Sequence, residues 1–429
     1  MLFRKLFALL LALTIGTISA GAQQMTEKVA AVKDESTAAG GERLNELRVA
    51  GFEALFNLDY ETARKHFKEI ARLFPDHPAG PQFLAAALWA KALNESRRLQ
   101  SSLYNTESFY EKKDDKADPR MVEEFRGLTR QAAQLAKARL RRNPKDVEAL
   151  YFLGTTEGIK AAFATTIQRS FMSALGDGSS SVDRHRDVLK LDPSFRDAEL
   201  TIGFYDYVVG SLPGPVKLLA SIVGTRGSKK RGLATLQRVA AEGRWAKDDA
   251  RALLIVLFKR EKRYADALAM ARELGAKYTR NYLFKLEAAD ALVSMAAADR
   301  EAGREAEARK AEEEALALFE ALVRDRAAAR ALDRIHFLYG EALVGAGQPE
   351  SAAKEYLAAA NVTGAEPGMA TAAHLQAARA YDLAGRRQDA VAQYRIVLTR
   401  PDSAKAHEQA RQGLKEPYKL KTNGKSVSE

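Results

Sequence analysis

The sequence predicts an all-α fold, a right-handed α-solenoid of antiparallel helix pairs, and three observations carry that prediction. Small residues, aromatics, a turn glycine and a proline recur in one fixed order along the chain. Ala, Leu, Arg and Glu are abundant, while only 12 of the 429 residues are proline. No stretch alternates apolar and polar residues with the period of two that a half-buried strand requires.

Taken in chain order, the first element is a leader. Arg4 and Lys5 precede an apolar run from Leu6 to Ile18, and Ala20-Gly21-Ala22 before Gln23 has the small-x-small pattern of a cleavage site. Residues 1–22 therefore read as a Sec-type signal peptide cleaved near Ala22-Gln23, with a periplasmic or secreted mature chain expected. The run is too short for a stable membrane span, and no later segment supplies about 20 uninterrupted apolar residues. Residues 23–41, polar and rich in Gly and Ala, read as a mobile leader.

Helix pairs are expected from residue 42 to 415. The stretch 44–77 places Gly51, Tyr60, Ala63, Phe67 and Pro75 in the recurring order, 333–364 repeats it with Gly340, Gly347, Ala352 and Tyr356, and 371–402 with Ala378, Tyr381, Gly385, Ala390, Tyr394 and Pro401. Two helices approach closely only where Ala or Gly sits at the crossing, and the aromatics fill the space beside it. Weaker copies lie at 143–154, 192–203 and 260–278. Gly154 and Gly203 are 49 residues apart, an excess that the glycine- and serine-rich run 176–181 is expected to absorb as a loop. A longer pair turning near Gly303 fills 281–326, a last helix is expected over 403–414, and residues 416–429 read as a mobile tail. On these residues the chain resembles the tetratricopeptide repeat (TPR) proteins.

Few residues invite chemistry. The absence of cysteine excludes disulfides, thiolate metal sites and a lipidated cysteine. The six histidines (His66, His77, His185, His336, His374 and His407) form no HExxH or i, i+4 pair, and no GxSxG elbow occurs. Ser351 and Lys354 match an SxxK spacing, but Ser351 follows Gln348-Pro349-Glu350 in the first turn of a repeat's second helix, beside the packing residue Ala352. No catalytic, cofactor-binding or metal-binding residue is assigned. The net charge of +11, about +9 without Arg4 and Lys5, favours acidic partners or anionic surfaces, and export argues against nucleic acid.

The stretch 208–232, VVGSLPGPVKLLASIVGTRGSKKRG, joins an apolar run to a basic turn. A nucleotide P-loop fails here because Ser228 follows Gly227 where a lysine is needed and no strand precedes it. Pro213 and Pro215 split the apolar run, so it is no membrane span. A helix opening at Gly227-Ser228 and running to Ala241 is expected, with Lys229, Lys230 and Arg231 as candidate ligands for an anion or an anionic lipid. Residues 202–245 also resemble a eukaryotic TPR family implicated in inclusion-body clearance, on Gly203, Leu212, Pro213, Leu218, Leu219, Gly224, Gly227, Gly232, Leu233 and Leu236. That resemblance implies local structure only, since Ser228 and Lys229 stand where that family has an acidic residue.

The TPR resemblance implies a partner face along the first helix of each pair. Counting from each small residue, this face includes Arg48, Phe52 and Phe56; Tyr151 and Thr155; Phe204 and Tyr207; Arg334, Phe337 and Glu341; Arg379 and Asp382. Arg48, Phe52, Tyr151, Tyr207, Arg334, Phe337 and Arg379 are the candidate partner-binding residues, of types enriched at interface hot spots. The clamp with which some TPR proteins grip a terminal carboxylate is not reproduced, because Arg48, Phe52, Thr155 and Glu341 stand where it would want Lys or Asn. The expected function is a non-enzymatic scaffold for a protein or peptide in the cell envelope. The alternative is a peripheral adaptor that binds an anionic membrane through residues 212–232.

Overall fold

The computed structural model describes residues 31–96, 98–99, 117–212 and 227–420. The expected signal peptide and the first part of the expected leader fall outside these residues, as do Pro213 to Arg226 of the apolar-basic stretch. The described residues form seventeen α-helices and two short 3-10 turns, with no strand among them. No helix among them is long and apolar enough to cross a membrane.

The chain divides into two compact units, residues 1–281 and 282–429. The first contains α1 (Ala31–Phe56), α2 (Tyr60–Leu73), α3 (Ala79–Glu95), α4 (Pro119–Arg142), α5 (Val147–Thr166), α6 (Phe171–Leu191), α7 (Glu199–Gly210), α8 (Lys229–Glu242), α9 (Lys247–Arg260) and α10 (Tyr264–Lys277). The second contains α11 (Tyr282–Glu301), α12 (Glu305–Val323), α13 (Leu332–Gly345), α14 (Pro349–Asn361), α15 (Pro367–Leu383), α16 (Arg387–Thr399) and α17 (Ala406–Lys415). Within each unit every helix packs on the next in sequence. First helices also touch across the intervening one: α3 on α5 in the first unit; α11 on α13, α13 on α15 and α15 on α17 in the second.

One turn geometry closes five of the pairs. Leu58, Lys262, Gly303, Gly347 and Gly385 all have φ between 58° and 75°, each two residues before the second helix of its pair. The following amide reaches back five residues to a carbonyl of the first helix: Asp59 to Ala54, Arg263 to Phe258, Arg304 to Asp299, Gln348 to Leu343 and Arg386 to Tyr381, at 2.8–2.9 Å. These are Schellman closures, which satisfy the last carbonyls of a helix and need a left-handed residue at the bend. The expected turn glycines Gly347 and Gly385 do this work, while Leu58 and Lys262 do it at a steric cost that glycine avoids.

The close crossings also follow the small residues. A Cβ on Gly51 would lie 2.3 Å from the Phe67 ring, one on Gly340 2.7 Å from Tyr356, and one on Gly413 2.2 Å from Tyr394. Prolines occupy the first turn of α4, α14 and α15, and the side chains of Asp118, Asp146, Ser228 and Glu366 accept amide protons at the starts of α4, α5, α8 and α15.

Two expectations are corrected. Residues 176–181 are no loop: they lie within α6, and the excess between Gly154 and Gly203 lengthens α5 to 20 residues and α6 to 21. The small residues let these two helices touch, with Ser181 Oγ donating to the Gly154 carbonyl at 2.7 Å and Gly178 facing Ala161. The expected leader also ends early, since α1 begins at Ala31.

The first unit closes on itself. The Phe56 ring stacks on Tyr278 with centroids 4.8 Å apart, Asn281 Nδ2 donates to the Phe56 carbonyl at 2.7 Å, and the Arg280 amide donates to Asn57 Oδ1 at 3.2 Å. Between these ends lies a continuous core in which Phe52, Phe67 and Phe83 pack within 4.9–5.3 Å of one another, and Tyr151 and Trp245 join the same cluster.

The turn geometry gives an expected outcome. Lys262 is exposed, so Lys262→Gly changes little but the backbone and raises stability by about 0.5–1 kcal/mol. Gly385→Ala, at the same bend, lowers it by about 1–2 kcal/mol. Urea midpoints of the two variants moving in the same direction would contradict this account.

Candidate functional site

The first-unit members of the candidate partner face are interior. Arg48, Phe52, Tyr151 and Tyr207 are 7%, 5%, 2% and 0% exposed. Phe52 packs on Phe67 and Phe83 of α2 and α3, Tyr151 on His185, Phe195 and Trp245, and the Tyr207 hydroxyl donates to Glu261. Phe52, Tyr151 and Tyr207 therefore serve as core residues and offer no open ring to a partner.

Arg48 anchors a buried charge cluster. Its guanidinium is hydrogen-bonded to Asn45 Oδ1 at 2.8 Å and lies 5.6 Å from the Trp245 ring. Burial, then the nearby Arg244, brings its pKa down to about 10, with Asp197 opposing. Asp197 accepts the Trp245 and Ala246 amides at 2.9 and 2.8 Å, yet burial still raises its carboxyl above the ordinary range. These contacts tie α1 to the start of α9 and fix the interior of the unit.

The basic turn is partly committed. Ser228 caps α8 by accepting the Arg231 amide at 3.3 Å, so the helix opens where the sequence placed it. Lys229 Nζ donates to Glu261 Oε1 at 2.7 Å, and the Tyr207 hydroxyl donates to the same oxygen at 2.7 Å. Although burial acts in the opposite direction, these two donors hold Glu261 below its ordinary pKa. Arg231 makes a bidentate pair with the buried Asp206 carboxylate. Lys230 and Arg231 are both exposed, and Lys229 is half-buried. Of the three expected anion ligands, Lys229 and Arg231 each already pair with a carboxylate of the unit while keeping part of each side chain exposed.

The second unit carries the remaining candidates on α13 and α15, first helices that touch each other, with α15 also touching α17; the face they share is called the groove below. Arg334 and Phe337 are half-buried on α13, and the Phe337 ring meets Tyr356 edge-on at 5.4 Å. Glu341, one turn further, is exposed by its own area yet closely flanked by the groove walls. Loss of surrounding water pushes its carboxyl up to about 7, with Arg334 opposing and Asp290 adding to the rise. Arg379 on α15 donates to Gln409 Oε1 on α17 at 2.6 Å and lies 4.8 Å from the centroid of the Tyr418 ring.

Asp382 is the hub of this groove. Its fully buried carboxylate accepts Arg387 Nη1 at 2.9 Å, the Tyr394 hydroxyl at 2.9 Å and the backbone amide of Tyr418 at 2.8 Å. Arg387 also donates to the Leu414 carbonyl at 3.0 Å, so α17 and the residues after it are held to α15 and α16. Within the span expected as a mobile tail, Tyr418 is held against α15 by these contacts, while Glu416, Pro417, Lys419 and Leu420 are exposed. Residues 421–429 of that tail lie outside the described residues. A Pro-Tyr pair within an otherwise polar tail was the available signal for this contact.

Other surfaces offer less. A cleft of about 200 Å³ between α2, α3 and α4 has an apolar floor of Tyr60, Leu84, Leu88 and Leu128, but its rim charges already pair as Arg64 with Glu124 and Lys91 with Glu61. Among the described residues no three His, Asp or Glu side chains are grouped to hold a metal ion.

Repeated Schellman-closed pairs with small-residue crossings define a TPR-type helical-repeat protein. No family model matches the chain, and no curated protein does. Among solved structures it is similar to a human IFIT1 dimer with PPP-AAAA, at 12% identity and TM-score 0.41 over 85% of this chain and 80% of that one. It is also similar to TTC0263, a thermophilic TPR protein of Thermus thermophilus (16% identity, TM-score 0.33, 58% and 99% covered), and to yeast Tom70 (12%, 0.31, 84% and 86%). The assignment stands on the pair geometry above.

The buried His185 supplies a pH test. Only 1% exposed and 3.4 Å from Thr155 Oγ1, its imidazole is lowered to about 4 by burial. As pH falls below about 6.5 the unfolded chain takes up a proton that the folded chain refuses, so stability is lost between about 6.5 and 4. The loss amounts to about 3 kcal/mol. His185→Gln is expected to flatten this slope, whatever it does to absolute stability. An unchanged slope in urea titrations at pH 4.5, 5.5 and 6.5 would show that His185 is not its source.

Proposed function

We propose that the protein is an exported, non-enzymatic scaffold that binds an extended segment of a partner protein in the cell envelope, through the groove of its second unit. The observation that carries this reading is the seating of residues 416–420 in that groove, where Asp382 takes a backbone amide and Arg379 meets an aromatic ring. A surface that accepts an extended stretch of its own chain has the spacing and the hydrogen-bonding groups to accept another. The charge of the mature chain, about +9 once Arg4 and Lys5 are removed from the +11 of the full sequence, assists encounter with an acidic partner. The competing reading, an adaptor at an anionic membrane surface through residues 212–232, keeps Lys230 and Arg231 exposed, but Lys229 and Arg231 are already in ion pairs.

Export is tested by N-terminal sequencing of the envelope-fraction protein, with Gln23 expected as the first residue; a chain beginning at Met1 would refute it. Binding is tested by a photo-crosslinking residue at position 337 in the native host, with and without Arg379→Glu. A discrete adduct whose yield falls at least about fivefold in the variant is expected. Adducts insensitive to Arg379→Glu, together with salt-sensitive pelleting of the mature chain on anionic vesicles, would favour the membrane reading.

A further inference from the structure

The way Tyr418 is held says more about the groove than that it fits a peptide. Of residues 416–420, Tyr418 alone is shielded from solvent; Glu416, Pro417, Lys419 and Leu420 are all exposed, Leu420 by 56%. The segment is anchored at one residue by two contacts, the ring beside Arg379 and the amide on Asp382 Oδ2. The acceptor, by contrast, is built without the segment: Asp382 is already held by Arg387 and Tyr394, and Arg379 by Gln409. A preformed acceptor with a lightly held occupant is the arrangement of a tethered competitor.

Resting on the binding reading above, we propose that residues 416–420 are an intramolecular stand-in for the partner, and that the partner is an internal, extended protein segment whose aromatic side chain takes the place of Tyr418. Three features define this ligand. The groove reads one aromatic ring beside a guanidinium, which favours Tyr, Phe or Trp. It reads one backbone N–H through the Asp382 carboxylate, which any residue except proline supplies at that position. It reads no terminal carboxylate, because the chain continues through Lys419 and Leu420 past the contact.

The tether makes the competition strong despite the few contacts. Tyr418 follows the end of α17 at Lys415 by three residues, so its effective concentration at the groove is on the order of millimolar. A partner in solution binds only the fraction of molecules whose groove is open, and its apparent Kd rises by the reciprocal of that fraction. Removing the anchor therefore tightens binding from outside.

The test uses the full chain. The probe is a fluorescent, N-acetylated and C-amidated peptide of residues 414–422, followed by anisotropy against wild type, Tyr418→Ala and Tyr418→Phe. Tyr418→Ala is expected to bind at least about tenfold tighter than wild type. Tyr418→Phe, which keeps ring and amide, is expected to behave as wild type, and a probe with alanine in place of its tyrosine to bind none of the three. Equal binding by wild type and Tyr418→Ala, or binding by neither, overturns the proposal. So does loss of amide-exchange protection across 367–415 in Tyr418→Ala, which would make the segment a structural brace. A wild-type dimer abolished by Tyr418→Ala in light scattering would overturn it in favour of segment exchange between copies. An Arg379-dependent adduct at position 337 alongside such a result would leave the binding reading standing and remove only the competitor.

Discussion

The close crossing of paired helices, with a ring of one laid where a glycine of the other has no Cβ, is the constraint from which the rest of this structure follows. Gly51 under Phe67, Gly340 under Tyr356 and Gly413 under Tyr394 bring the backbones near enough for the next pair to stack on both. The crossing and the Schellman bend cooperate, because a bend that returns the chain within two residues leaves only one register in which small residue and ring coincide. That economy explains why Leu58 and Lys262 hold left-handed backbone where glycine would sit more easily: the bend is required by the pair, whatever residue occupies it.

Closure decides what the first unit can offer. Once Phe56 stacks on Tyr278 and Asn281 bonds the Phe56 carbonyl, the inward face of α1, α5 and α7 is interior, and the aromatics on it become core. Charge taken inside with them must be compensated, and the Arg48, Asn45 and Asp197 contacts do this. At the other end of α7 the buried Asp206 carboxylate is compensated from the surface by the exposed Arg231, and Glu261 pairs with Lys229. A basic run in a sequence is a statement about composition; whether it faces a ligand depends on the carboxylates the fold brings to it.

In the second unit the proposed binding surface is organised by contacts between α15, α16 and α17. Asp382 is buried and multiply bonded, which fixes its carboxylate before any ligand arrives, and Arg379 is braced by Gln409. Preorganisation of this kind lowers the ordering cost that an extended ligand must overcome. The same side chains that hold the last helix to the unit are the ones the proposal assigns to binding, so fold and proposed recognition share one network.

Much of this was legible in the sequence. The order of small residues, aromatics and turn glycines located the clear pairs, Gly347 and Gly385 marked their bends, and Ser228 marked the start of α8. These are local features, set by φ, by i to i+4 spacing and by capping within a few residues, so the sequence determines them by itself. The run 176–181 misled because glycine and serine signal loops in isolation and close helix contacts in company. The tertiary structure alone decided that Phe52, Tyr151 and Tyr207 are interior, that Lys229 and Arg231 pair with Glu261 and Asp206, and that Tyr418 is held against α15. Exposure and pairing depend on contacts between residues 25 to 225 positions apart, and helical periodicity, which repeats every 3.6 residues, carries no record of which distant helix completes them.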